Sequence, residues 1–211
     1  MHHNDSRNEN KNEKIAIVLA SNTHWLPFYR KYVTWLKDYG ASYEIILWNR
    51  ESKMEIFDCN YFSYNLRDQT NNRNCLKIVK FILYARYVRQ ILRRNKYSKI
   101  IFMGTYAGLP VLLFRYLKNE YKFNYWIDLR DYTYERSKIY KKVLAITINN
   151  AYATAISSLG FLEFLPKSQY LYIHNIDLEN RYEVISTVST TKNYPIRLSF
   201  IGNIRYLNIN K

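Results

Sequence analysis

The chain has 211 residues, of which 48% are hydrophobic and 17% aromatic; this is enough apolar material for one substantial core and excludes a disordered or fibrous protein. Its 32 Lys and Arg against 17 Asp and Glu leave a formal charge of +15, so an anionic partner is expected: nucleic acid, a phosphorylated ligand or an acidic lipid surface. Two cysteines, Cys59 and Cys75, are too few for a disulfide framework and show no metal-ligand spacing, which fits free thiols in a reducing cytoplasm.

The first residues, "MHHNDSRNENKNEK", are polar and lack the apolar segment of a secretory signal, so 1–13 reads as a disordered leader and His2 and His3 as part of it. No stretch reaches the roughly 18 apolar residues that a bilayer span needs. The expected location is cytoplasmic, or peripheral on the inner face of the plasma membrane.

"KIAIVLA" at 14–20 is a short apolar run rich in β-branched residues, as in a strand covered on both faces. "THWLPFYRKYVTWLKDYG" then sets Trp25, Phe28, Tyr29, Tyr32, Val33, Leu36 and Tyr39 along one helical stripe, with Gly40 as the stop. "SYEIILW" at 42–48 is a second strand, so the chain opens β-α-β with a right-handed crossover between parallel strands. A weak strand around Tyr61 to Tyr64 and a polar loop at 68–74 lead to a long helix from Leu76 to Asn95. On it Lys77 and Lys80 fall on a different side from Arg86, Arg89 and Arg93, which fits a partly buried helix with snorkelling cations better than a nucleic-acid face.

"KIIFMG" at 99–104 is the next strand. A helix from Ala107 to Asn119 follows, with Pro110 in its first turn. A strand over Asn124 to Leu129, a helix from Thr133 to Asn149, the strand "AYATAIS", the short helix "SLGFLEFL" and the strand "YLYI" at 170–173 continue the alternation. The fold class is therefore α/β: a Rossmann-like parallel sheet with helices on both faces, occupying 14–176. The region 177–195 reads as a linker, and 196–211 as the opening strand of a second domain.

In open parallel sheets, ligands bind beyond the carboxyl ends of the strands. There this chain sets Ser21, Asn22, Thr23 and His24 after the first strand, Gly104, Thr105 and Tyr106 after the fourth, and Ser157 and Ser158 after the sixth. The fifth strand ends in "DLRDYTYE", which concentrates Asp128, Arg130, Asp131 and Glu135. Asp128 or Asp131 can orient or deprotonate a hydroxyl, Arg130 can bind phosphate or carboxylate, and His24 can do either. The structural alternative stays open for each: Arg130 pairs with a neighbouring carboxylate, Asp131 and Glu135 favour the following helix's N-terminal end, His24 starts the first helix, and the serines act as N-caps. No glycine-rich dinucleotide fingerprint, P-loop or nucleophile elbow is present.

"KIAIVLASNTHW", "DLRDYTYE", "AISSLGFLEFLP", "YLYIHNID" and "RLSFIGNIRY" together resemble the N-terminal, acceptor-side half of GT-B glycosyltransferases of the family 4 kind, in particular bacterial enzymes of surface-polysaccharide assembly. The resemblance implies two Rossmann-like domains facing a cleft and transfer of a sugar from a nucleotide-sugar donor to a glycan or lipid-linked acceptor, without a metal or other cofactor. It implies that Asp128, Arg130 and Asp131 face the reacting centre, that Asn22, His24, Thr105, Tyr106 and Glu135 lie on the acceptor side, and that Gly202 and Arg205 approach the donor diphosphate. The first loop, "ASNTHW", departs from the family in lacking its glycines. The donor-binding half is absent from this sequence, so the expectation is a truncated or split enzyme, inactive alone and completed by a separate donor-binding subunit or by a longer chain.

Two other readings stay open. One is a non-catalytic basic α/β module for nucleic acid or another polyanion, although no RNP, KH or zinc pattern supports specific nucleic-acid binding. The other is a remnant that folds poorly without its partner domain.

Overall fold

A computed structural model describes residues 13–68, 74–112, 124–130 and 138–173. Asp131, Glu135, Gly202 and Arg205, the expected linker 177–195 and the expected strand from 196 lie outside the described residues, as do 1–12 of the leader. The chain divides into two units, Met1–Ile176 and Asp177–Lys211, and everything described belongs to the first.

Seven parallel strands form one sheet: β1 (Lys14–Leu19), β2 (Ser42–Trp48), β3 (Tyr61–Tyr64), β4 (Lys99–Met103), β5 (Tyr125–Leu129), β6 (Ala153–Ile156) and β7 (Leu171–Tyr172), in the spatial order 3-2-1-4-5-6-7. The described helices are α1 (Tyr29–Asp38), α2 (Asn74–Asn95), α3 (Thr105–Leu112) and α4 (Lys138–Asn149). The Rossmann-like α/β fold expected from the alternation is the fold observed.

The strands are continuous apolar runs because both faces are covered. Ile15, Ile17 and Leu19 of β1, with Ile45 and Leu47 of β2, point to one face, where Tyr29 and Tyr32 of α1 pack on them. Ala16, Val18, Ile46 and Trp48 point to the other, under α2, α3 and α4. Trp48 anchors that second layer, stacked on Tyr84 at 5.1 Å between ring centroids. The buried Tyr84 hydroxyl donates to the Leu19 carbonyl at 2.8 Å, so α2 is pinned to the end of β1.

α1 is shorter than its stripe suggests. Pro27 disfavours helical geometry in the residue before it, and Leu26 sits at φ −130, ψ 48. Thr23–Trp25 therefore forms a separate 3-10 turn, and Trp25 and Tyr39 are exposed outside the helix rather than buried on it. Gly40 ends α1 as expected: at φ +71 it lets its own N–H donate to Lys37 O (3.0 Å) and that of Ala41 to Leu36 O (2.9 Å), the double bond of a Schellman turn. α3 begins at Thr105, two residues before the expected start, so Pro110 falls past its first turn. Cys59 is a free thiol packed beside the α1 layer, where burial above all pushes it up to about 11.

α3 lies close on the sheet because Gly108 has no side chain. A Cβ there would sit 3.2 Å from Ile127 Cδ1 and 3.3 Å from both Cβ and Cγ of Phe102, a fully buried residue that cannot move aside. Gly108→Val is expected to lower the melting temperature by several degrees, from about 1–3 kcal/mol of overpacking. An unchanged melting curve would mean that α3 is not held this closely.

Candidate functional site

Register sets the carboxyl edge. Leu19 pairs with Met103, and Met103 with Asp128. Two residues past these matched positions stand Ser21, Thr105 and Arg130, so three strands deliver side chains to one level. Gly104, at φ +86, turns the chain from β4 into α3 and donates its N–H to the Asp128 carbonyl at 2.8 Å.

A cavity of about 80 Å³ opens at this edge. Its polar walls are Ser21, Arg50, Thr105, Tyr106 and Arg130, and its apolar lining comes from Leu26, Phe28 and Met103. Among the described residues no carboxylate lines it. Two guanidinium groups therefore face a small space that also receives the positive N-terminal end of α3.

Arg130 is held from three sides. Its NH2 donates to Asp128 Oδ2 at 2.8 Å, while its Nε lies 2.8 Å from Asp128 Oδ1 as an ion-pair contact without hydrogen-bond geometry. Its NH1 donates to the Ile173 carbonyl at 3.0 Å, and its guanidinium lies 4.7 Å from the Phe28 ring centroid. Asp128 also accepts from the Tyr32 hydroxyl at 2.8 Å. Burial pushes the Asp128 carboxyl up from the ordinary range, while the bonds from Arg130 and Tyr32 oppose that push. Burial, reinforced by the adjacent carboxylate, raises the Tyr32 hydroxyl and keeps it a donor.

Asp128 is fully buried and does not line the cavity. Of the two possibilities left open for Arg130 by the sequence, the ion pair with a neighbouring carboxylate is the arrangement present. Asp128 holds Arg130, and of these two described members of the charged strand end Arg130 is the one that lines the cavity.

Arg50, two residues past β2, supplies the second guanidinium, which the sequence reading passed over. It lies 4.2 Å from the Trp48 ring centroid and 5.0 Å from that of Phe81. Its NH1 is 3.8 Å from Asp68 Oδ2, and Asp68 is shared with Lys80 Nζ at 3.0 Å. Desolvation lowers Arg50 from its ordinary value, with Asp68 the main opposing charge; a guanidinium still stays protonated at neutral pH. The signal was available, since the strand-end rule that nominated Thr105 applies equally to Arg50.

Asn22 and His24 do other work. The buried Asn22 amide donates to Asn49 Oδ1 (2.8 Å) and Glu55 Oε1 (2.9 Å), and its carbonyl oxygen accepts from Glu51 N–H (3.1 Å). Thr23 adds two bonds to Glu55, 3.1 Å from its N–H and 2.5 Å from its hydroxyl. These contacts leave the Glu55 carboxyl below its ordinary value despite burial, which acts upward. His24 Nε2 is 3.1 Å from Glu51 Oε1, which also accepts from Trp25 Nε1 at 2.7 Å. Lys53 first, then Trp25, hold Glu51 down to about 2. This polar cluster ties the loop after β1 to the loop after β2, and neither Asn22 nor His24 lines the cavity. Thr105 and Tyr106 do line it, with Tyr106 stacked on Phe81 at 5.5 Å. Ser158 accepts from Gly160 N–H at 3.2 Å and so caps the turn Leu159–Glu163.

Among the described residues no group of three His, Cys, Asp or Glu side chains is placed to hold a metal ion. The cavity can bind an anionic or hydroxyl-rich group, and among the described residues that line it none is a carboxylate or imidazole that could act as a base.

No family model matches the chain, and no curated protein matches it. Among solved structures, it is similar to a sucrose-phosphate synthase from Thermosynechococcus elongatus, with a TM-score of 0.56 and 11% identity over 77% of this chain and 48% of that one. It also matches MurG of Acinetobacter baumannii, with a TM-score of 0.46 and 12% identity over 75% of this chain and 44% of that one; this second likeness is too low to add weight. The chain spans about half the length of each. At such identity the likeness shows the fold alone, the Rossmann-like α/β fold expected from the sequence.

Removing one member of a buried pair leaves the other charge without compensation. Asp128→Asn is expected to cost about 3 kcal/mol of unfolding free energy in urea, whereas Tyr32→Phe, which removes a single neutral donor, should cost about 1 kcal/mol. Equal and small losses from both substitutions would show that the pair does not organise this edge.

Proposed function

We propose that this chain is the acceptor-side half of a glycosyltransferase, moving a sugar from a nucleotide-sugar to a glycan or lipid-linked acceptor in the assembly of a cell-surface polysaccharide. The observation that carries the reading is the pairing of Arg50 and Arg130 around a cavity at the carboxyl edge of the sheet. The cavity's polar walls are hydroxyl and guanidinium groups, which suits an acceptor bearing hydroxyls and an anionic substituent such as phosphate or carboxylate.

In this proposal Arg50 and Arg130 hold the acceptor's anionic group, while Ser21, Thr105 and Tyr106 hydrogen-bond its hydroxyls. In the reaction the bond from the sugar's anomeric carbon to the diphosphate oxygen breaks, a bond from that carbon to the acceptor oxygen forms, and the acceptor proton passes to a carboxylate, for which Asp131 is proposed, or to the departing diphosphate. Asp131 and Glu135 remain proposed for the reacting centre and the acceptor, and Gly202 and Arg205 for the donor diphosphate, where a guanidinium would stabilise the negative charge that develops. Donor recognition belongs to a second Rossmann-like domain, in the same protein or in a partner subunit.

The test uses cells that make the protein at its natural length. Extracts with and without it are given a panel of radiolabelled nucleotide-sugars, and label entering lipid-extractable or glycan material is counted. The expected result is transfer that depends on the protein and falls about 10- to 100-fold in Arg50→Gln, the loss of one charge-assisted contact. Transfer equal in the two extracts for every nucleotide-sugar would overturn the proposal.

A further inference from the structure

α2 packs inward through Tyr84, Ala85, Val88, Ile91 and Leu92. Its outward face divides into two halves. The N-terminal half exposes three aliphatic side chains, Val79 at 51% and, one turn on, the consecutive Ile82 at 48% and Leu83 at 43%. The C-terminal half carries Arg86, Arg89, Arg93 and Arg94, spaced at i, i+3, i+7 and i+8, which with Tyr87 and Tyr64 line an open groove of about 810 Å³. Among the described residues no acidic side chain lines that groove.

Two ordinary explanations fall short. Cations in the last turn complement the helix dipole, which accounts for Arg93 and Arg94 but not for Arg86 and Arg89, one to two turns earlier. Isolated exposed aliphatics need no explanation, but three contiguous ones continuing into an arginine groove form a patch. A nucleic acid would use the guanidinium groups and leave Val79, Ile82 and Leu83 in water. A bilayer uses both, with aliphatics at the acyl boundary and guanidinium groups on the lipid phosphates. No described helix is long and apolar enough to cross a membrane, so the contact would lie on the surface.

We infer that the outer face of α2 is a docking surface for an anionic phospholipid bilayer. α2 returns the chain from β3 to the parallel strand β4, so its aliphatic end stands at the carboxyl edge of the sheet, beside the cavity. Lys80, next to Val79, bonds the same Asp68 that lies by Arg50. Docking there would bring the cavity to the level at which a lipid-linked acceptor presents its headgroup.

The experiment is flotation of the purified 211-residue chain with vesicles of phosphatidylcholine alone or mixed with phosphatidylglycerol. The expected result is binding to the mixed vesicles only, weakened about tenfold or more in Arg86→Gln/Arg94→Gln and also in Ile82→Ser/Leu83→Ser, with the circular dichroism of both variants unchanged. Binding lost in the arginine variant but unaltered in the serine variant, with duplex DNA bound equally well, would replace the bilayer with a general polyanion surface and overturn the inference. So would absence of binding to either vesicle. Arg50 lies outside this surface, and Arg50→Gln should float like the parent chain, so failure here is separable from failure of the transfer assay.

Discussion

The carboxyl edge of this sheet is organised by one buried aspartate. β5 alternates Tyr125, Ile127 and Leu129 toward the α2 layer with Trp126 and Asp128 toward α1, so Asp128 occupies a position that hydrophobic packing alone would give to an apolar side chain. Burying a carboxylate there is costly unless its partners are in place. The partners come from different parts of the chain: Tyr32 from α1, Arg130 from the strand exit and, through the Asp128 backbone carbonyl, Gly104 from the turn into α3. Arg130 in turn reaches the Ile173 carbonyl just past β7. A buried ion pair of this kind is weak evidence of added stability, and its clearer effect is to fix geometry, here the direction of one guanidinium.

That arrangement explains why the fold was legible in the sequence and the roles at the site were not. Parallel strands covered on both faces read as unbroken apolar runs, and β1, β2 and β4 were visible for that reason. The stop at Gly40 was visible because few residues other than glycine adopt its backbone conformation. The start of α1 was blurred because the aromatic stripe runs through Pro27, and the stripe signals burial whether or not the backbone is helical.

At the site, the strand-end rule located the correct edge but could not say which side chains had capacity to spare. Asn22 looked like a ligand group, yet both its donor and acceptor functions are engaged within the protein; the partners, Asn49, Glu51 and Glu55, lie some thirty residues on and have no sequence signature. Asp128 is likewise engaged, by Arg130 two residues on, which the sequence offered as a partner, and by Tyr32 of α1, which it did not. Exposure and saturation of hydrogen-bonding capacity are tertiary properties, and periodicity carries no information about them.

The charge of +15 likewise meant little as a sum, because the cations divide by environment. Arg86, Arg93 and Arg94 of the outer α2 groove are exposed, where salt screens them beyond about 10 Å, so their effect needs an extended anionic surface close by. Arg50 is different: it is stacked on Trp48 and Phe81, largely out of water, and its nearest carboxylate at 3.8 Å is already in closer contact with Lys80 at 3.0 Å. One carboxylate between two cations leaves a net positive charge, and in a partly desolvated setting that charge is felt more strongly than in water. Among the described residues, then, Asp128 matches Arg130 closely, and Arg50 is the cavity-lining cation whose charge an incoming anion would meet with less compensation.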